Sequence, residues 1–266
     1  MTVALRYIQD YRRSLTWWSI GLLALVAFTV VFYPTIKDQP EFDAVLERLP
    51  PAVRAFVGTK EGISITSAPG YLQARLFGSL LPVLLLVFGI GVGARAIGGS
   101  EDDGTLELLL SNPVTRHRVA LERYWSLLIL LALLLFVTAI ALLAMSPPFG
   151  LNEGVSIAHL LGAIVAAGCL GLLHASVAFA VGCAFGRRGP AVAAATALAV
   201  AGFLAQGIFE AAAIEGWVRT LSPWEWYLGA NTLVEGPTLA SIIPPVALSG
   251  LVMAAGIVAF GRRDLR

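Results

Sequence analysis

A chain of 266 residues that is 58% hydrophobic and only 13% charged, with a mean hydropathy of +0.81, is too apolar for an ordinary soluble domain, in which about a quarter of the residues are charged. Its net charge of +1 comes without a basic stripe or interleaved aromatic and basic residues, so nucleic acid is excluded as a partner. The composition is that of a membrane protein.

In chain order, Leu5, Ile8, Tyr11, Arg12 and Leu15 recur at helical spacing, which predicts an amphipathic N-terminal helix lying on the inner leaflet. Arg12 and Arg13 precede an apolar run much as in a secretory signal. That run, however, is long enough to span, ends at Phe32-Tyr33-Pro34, and is followed by no small-x-small cleavage pattern, so it reads as a retained first span. A helix crossing the bilayer needs about 20 apolar residues. Six stretches answer to that description, at 17–33, 72–97, 124–145, 157–185, 190–214 and 239–260. The longest connection, 34–71, is too short for a soluble catalytic domain of about 50 residues. Within it Phe42, Val45, Leu46 and Leu49, then Val53, Phe56 and Val57, predict two amphipathic helices on either side of Pro50-Pro51. Pro82 is expected to kink the second span. Gly89, Gly91 and Gly93 lie inside an apolar helix, where they are no nucleotide fingerprint. Ala163, Ala167, Gly171 and Ala175 form a small-residue stripe that lets another helix approach the fourth span closely. Cys169 and Cys183 share that span and read as small core residues, not a disulfide. Trp217, Trp224, Trp226 and Tyr227 read as an interfacial aromatic belt before the last span.

Six spans put both termini on one side of the membrane. With the termini inside, the inner segments hold 12 of the 18 Lys and Arg residues, and connections 146–156 and 215–238 carry none and one. Positive charge collects on the cytoplasmic side, so both termini are expected there. Sixteen of the 18 cations are Arg, and the spans are rich in Ala and Gly, a usage associated with GC-rich bacteria. The expected location is the bacterial cytoplasmic (inner) membrane, crossed several times.

Ionisable and polar groups at membrane depth mark candidate paths. His174 lies about 26 Å along its helix at 1.5 Å per residue, and Glu210 about 30 Å beyond Pro190, at the outer boundary. His174, Gln206 and Glu210 are therefore the candidate lining of a substrate path. The middle of every span is free of charge, and no broken helix is evident, so an ion-driven carrier lacks its usual parts. No HExxH, GxSxG or paired-carboxylate arrangement is present, which leaves no catalytic residue, metal site or cofactor site to assign.

The most informative segment is 98–123. Ser100 with Asp103 resembles a capping box, Asn112-Pro113 is a stop, and Thr115 can cap the next helix. These signals predict a short cytoplasmic helix, 101–111, between spans two and three. On a helical wheel Leu106, Leu109 and Leu110 share an inner arc, while Leu108 stands among polar neighbours on the opposite one.

Glu101, Gly104-Thr105-Leu106-Glu107, Leu109-Leu110, Pro113 and Arg116 resemble the E-x-x-GTLE-x-LL-x-x-P-x-x-R segment of the ABC-2 permeases, the membrane subunits of bacterial ABC exporters. Leu221-Ser222-Pro223 and the terminal Arg262-Arg263-Asp264-Leu265 add weaker likenesses, and Asp102-Asp103 and Glu122-Arg123 are small departures. The resemblance implies one permease domain over 1–266, all-helical, with a coupling helix on which a dimeric P-loop ATPase docks. Glu101, Gly104, Thr105, Glu107, Leu108, Ser111, Pro113 and Arg116 would form that docking segment. It also implies a second permease subunit, a copy or a homologue, enclosing the path among membrane lipids. ATP and Mg would be bound by the partner ATPase, in keeping with a chain whose only lysines, Lys37 and Lys60, do not follow Gly and so form no P-loop. An uncharged interior favours a hydrophobic or amphipathic substrate, as in multidrug or antibiotic efflux. The rival readings are an ion-coupled secondary carrier using Glu210 and His174, and a non-transporting assembly protein.

Overall fold

The computed structural model describes residues 3–39, 41–50, 53, 64–152, 154–212, 214, 216–229 and 231–263, with the backbone alone at Phe42, Leu46, Glu47 and Glu210. The described residues form helices and no strand. Six of the helices are long and apolar enough to cross a membrane: Arg12–Lys37, Ala68–Asp102, Arg116–Met145, Ile157–Phe185, Arg188–Phe209 and Leu239–Arg262. They are spans one to six below. Of the two helices expected in the first connection, one is present at Glu41–Glu47. The other, expected around Phe56 and Val57, lies outside the described residues.

Span four is the most buried of the six, and it packs chiefly on spans two and six. Lipid is as apolar as leucine, so helices in a bilayer associate by close packing and not by hiding hydrophobic surface. Glycine makes that approach possible here. A Cβ on Gly93 would stand 2.3 Å from the Ala175 carbonyl oxygen, and one on Gly256 would stand 2.6 Å from the Ala180 Cα. The Ala163, Ala167, Gly171 and Ala175 stripe is accordingly internal, buried along its length. Cys169 and Cys183 are free thiols in the same packed helix.

Span two departs most from its expected form. It contains two widened π-helical turns, Gln73–Phe77 and Arg95–Gly99, and between Gly78 and Ser79 its helix is interrupted. The interruption is therefore upstream of Pro82, which is the third residue of the new helix Leu80–Ala94. There its missing N–H is one that a helix start leaves unpaired in any case. This also corrects the expectation of unbroken spans.

The aromatic segment is no interfacial belt. The short helix Pro223–Leu228 turns back into the bundle, and its Trp224 is 1% exposed. The Trp224 indole N–H donates to the Ala199 carbonyl at 2.9 Å, about 15 Å along span five from its end at Phe209 at 1.5 Å per residue. Tyr227 donates to the Phe77 carbonyl at 2.6 Å, just before the break in span two. Non-helical backbone survives at such depth only when protein surrounds it; Tyr227 supplies a donor at the break, while Trp224 reaches a carbonyl inside the helix of span five. Trp217 alone of the three tryptophans in this segment is largely exposed.

At the arginine-rich end of the bundle, the N-terminal helix Val3–Asp10 packs on span three. Glu122 accepts from Ala4 N at 3.1 Å, and Ser126 donates to Ala4 O at 3.2 Å. A carboxylate at a helix N-terminus meets both its free N–H groups and its positive dipole end. The Glu122-Arg123 pair noted in the sequence thus anchors this helix.

Candidate functional site

The expected helix 101–111 is divided. Ser100–Asp102 continues from the widened turn of span two, and a second helix, Thr105–Leu110, follows Gly104, whose φ of 68° is left-handed. Glycine adopts that conformation without steric cost. Ser100 is buried and caps nothing: its hydroxyl donates to Arg95 O at 3.3 Å and accepts from Arg123 Nη1 at 2.6 Å. The Thr105 hydroxyl donates to Ser100 O at 3.0 Å, tying the two short helices together. Asn112 closes the second by donating to Leu108 O and Leu109 O. Thr115 caps span three, accepting from Arg118 N at 3.3 Å.

Within Thr105–Leu110 the faces fall as the wheel places them. Leu106 is fully buried, Leu109 and Leu110 are half-buried, and Leu108 is 73% exposed. Gly104, Thr105, Glu107, Ser111 and Pro113 share its exposure. Beside this helix is a cavity of about 850 Å³, bounded on the other side by the N-terminal helix and lined in part by Arg6, Asp10, Arg95, Asp103, Leu108 and Asn112. Arg95 and Asp103 approach to 3.8 Å at its edge. Both are half exposed, so their pairing contributes little.

The wall of the cavity is held by Arg123. Its Nη1 donates to Ala96 O at 2.9 Å as well as to Ser100, and its guanidinium lies 4.8 Å from the centre of the Tyr7 ring. The Tyr7 hydroxyl donates to Val92 O at 2.9 Å. Burial, and next the neighbouring Tyr11, push the Tyr7 phenol well above its ordinary value, so it remains a neutral donor. A π-helical turn disturbs the regular ladder, and here the carbonyls around it gain donors from two other elements.

Glu101 and Arg116 do not share the exposed face. Glu101 receives both Nη atoms of Arg263, one of them at 2.9 Å, and Arg116 Nη1 donates to Arg263 O at 2.5 Å. The segment read as a single docking surface therefore separates into an exposed part around Leu108 and a part that grips the end of span six. Arg263 is 162 residues from Glu101 in sequence, and no local pattern announces the pairing. Tyr7, Arg123 and Glu225 were missed for the same reason, although an arginine at the entry of an apolar run was a visible signal for Arg123.

Two of the three residues expected along a substrate path, His174 and Gln206, have separate surroundings. His174 is completely buried; its Nδ1 is 2.9 Å from Leu170 O, and its Nε2 has no partner among the described residues. Gln206 is buried against the helix Pro223–Leu228. With its amide oriented to suit Glu225, it donates to Glu225 Oε2 at 3.0 Å and accepts from Glu225 N at 2.8 Å. Glu225 also accepts from Arg219 at 3.2 Å. The side chain of Glu210 lies outside the described residues.

The family model described as ABC-2 family transporter protein matches residues 1–265. No curated protein matches the chain.

Proposed function

We propose that this chain, which belongs to the ABC-2 family of transporter proteins, is the permease subunit of an ATP-driven exporter whose ATPase docks on the helix Thr105–Leu110. The observation that carries the reading is Leu108. It is a large apolar side chain 73% exposed on a helix whose other leucines face inward, beside a cavity of about 850 Å³. Glu107, Ser111 and Pro113 flank it, while Gly104 and Thr105 set the helix's direction. Glu101 and Arg116 support the segment from behind. ATP and Mg belong to the partner, a dimeric P-loop ATPase, and a second permease subunit completes the path.

The arginine-rich end faces the cytoplasm under the positive-inside rule, in the cytoplasmic membrane of a bacterium. A hydrophobic or amphipathic substrate suits spans without mid-membrane charge. His174 is sealed and Gln206 is engaged with Glu225, which favours ATP over an ion gradient as the energy source.

Burying one leucine contributes about 1.5–3 kcal/mol, equivalent to a change in affinity of about 10- to 150-fold. Leu108→Asp should therefore abolish co-purification of the ATPase while expression and membrane insertion remain normal. Leu106→Asp, in the packed interior, should damage the fold itself. Normal co-purification with Leu108→Asp would overturn the docking assignment.

A further inference from the structure

We propose that Glu101, Asp102 and Arg263 are positioning residues that carry movement of the docking segment directly to spans five and six; the inference rests on the reading of that segment as the ATPase docking site.

Four inner corners of the bundle meet at these residues. The Arg263 guanidinium, at the end of span six, makes a forked contact with both oxygens of Glu101. The Arg263 carbonyl accepts from Arg116 at the start of span three, 2.5 Å away. Gly261 lies so close to the His117 ring that a Cβ would stand 2.6 Å from its Cε1. One residue further along the docking segment, the Asp102 carboxylate accepts from the backbone N–H of Arg188 at 2.8 Å. Arg188 is the first residue of span five, so that carboxylate sits where the helix dipole and the unpaired N–H groups favour it.

The joint has little slack. A Cβ on Gly98 would stand 2.8 Å from the Arg187 carbonyl, so span two is packed backbone to backbone on the turn between spans four and five. Gly186 in that turn has a φ of 65°, and a Cβ there would lie 2.5 Å from Glu101 Oε1. The side chains of Glu101 and Arg263 are 7% and 19% exposed. A forked, charge-assisted pair with so little water resists separation. The half-exposed Arg95–Asp103 contact at 3.8 Å, on the other side of the segment, can instead open without consequence. Movement entering at Leu108 passes through the Thr105–Ser100 hydrogen bond to Glu101 and Asp102. From there it reaches span six through Arg263 and span five through Arg188.

The test uses the full chain in complex with its ATPase in lipid vesicles. Cys169 and Cys183 are replaced by Ala, and a Leu239→Cys site carries an environment-sensitive fluorophore. Leu239 is 76% exposed at the far end of span six. With Glu101 and Arg263 intact, ATP should change the emission. Arg263→Met should leave ATPase co-purification unchanged and reduce that response at least about tenfold, as expected from the loss of charge-assisted hydrogen bonds, and Glu101→Gln should reduce the response per bound ATPase by the same factor. Arg263→Lys, which keeps the charge but not the fork, should fall between. Exchanging the pair, Glu101→Arg with Arg263→Glu, should restore the response that either reversal alone removes. A full ATP response in the single variants overturns the proposal, as does an exchange that folds and binds ATPase without restoring it. Loss of co-purification in Arg263→Met also overturns it, by assigning that residue to docking. Failure of the ATPase to co-purify with the unaltered chain would instead sink the functional reading.

Discussion

At the scale of the residue, Gly91 and Gly93 differ by two positions and by everything else. A Cβ on Gly91 would meet none of the described residues within 4 Å, whereas one on Gly93 would be driven into the backbone of span four. Gly93→Ala should lower stability by about 1–3 kcal/mol through overpacking. Gly91→Ala should be neutral or stabilise by up to about 1 kcal/mol, since alanine is the better helix former. Thermal unfolding of the two variants in detergent checks the contrast, and equal effects would refute the packing argument. Asp43 supplies a pH-dependent contact at the opposite end of the molecule. Partial burial opposes its ionisation. The Ser64 and Thr66 hydroxyls and the backbone N–H groups of Ile65 and Thr66 outweigh that and hold its carboxyl below the ordinary value. A depressed carboxyl contributes stability that is complete above its unfolded value of about 3.9 and is lost as pH falls through the lower folded value. The protection of the Ile65 and Thr66 amides, measured against their intrinsic exchange rates at each pH, should therefore be high at neutral pH and fall in acid, and Asp43→Asn should remove the pH dependence of that protection.

At the scale of the element, the short helix Pro223–Leu228 is legible as an aromatic segment but not as a buried one. Tryptophan and tyrosine suit a membrane interface and a buried hydrogen bond equally well, because each has an apolar body and one donor. Only the carbonyls offered by Ala199 and Phe77 decide between the two uses. Trp224→Ala should cost about 3–5 kcal/mol, as large aromatic truncations in a core do. Tyr227→Phe should cost about 1 kcal/mol, since it removes one hydrogen bond and little volume. Denaturation midpoints would test the order, and a harmless Trp224→Ala would return the segment to the interface.

At the scale of the whole molecule, the six spans place the N-terminal helix, the segment 98–116, the turn at 186–188 and Arg263 at one end of the bundle. If that end is cytoplasmic, a cysteine at Asn112 should resist an impermeant thiol reagent in intact cells, in a background lacking Cys169 and Cys183. A cysteine at Asn152, exposed at the other end, should react. The reverse pattern would invert the orientation and remove the ATPase-docking reading with it.

The existence, number and approximate limits of the spans were determined by the sequence alone, because a bilayer imposes a length and an apolar composition on any helix that crosses it. The stop at Asn112 and the cap at Thr115 were local too, and so was the outward face of Leu108, which needed only the 3.6-residue period; the division of the helix at Gly104 was not anticipated. Tertiary structure decided the rest. The two widened turns and the break in span two, the burial of Trp224 and the grip of Glu101 on Arg263 all depend on partners far away in the chain. Hydrogen-bond donors and acceptors at membrane depth must find such partners somewhere, but the sequence does not say which. That choice follows from which helices can approach, and the approach is set by glycines such as Gly93, Gly98 and Gly256 whose contacts exist only in the folded bundle.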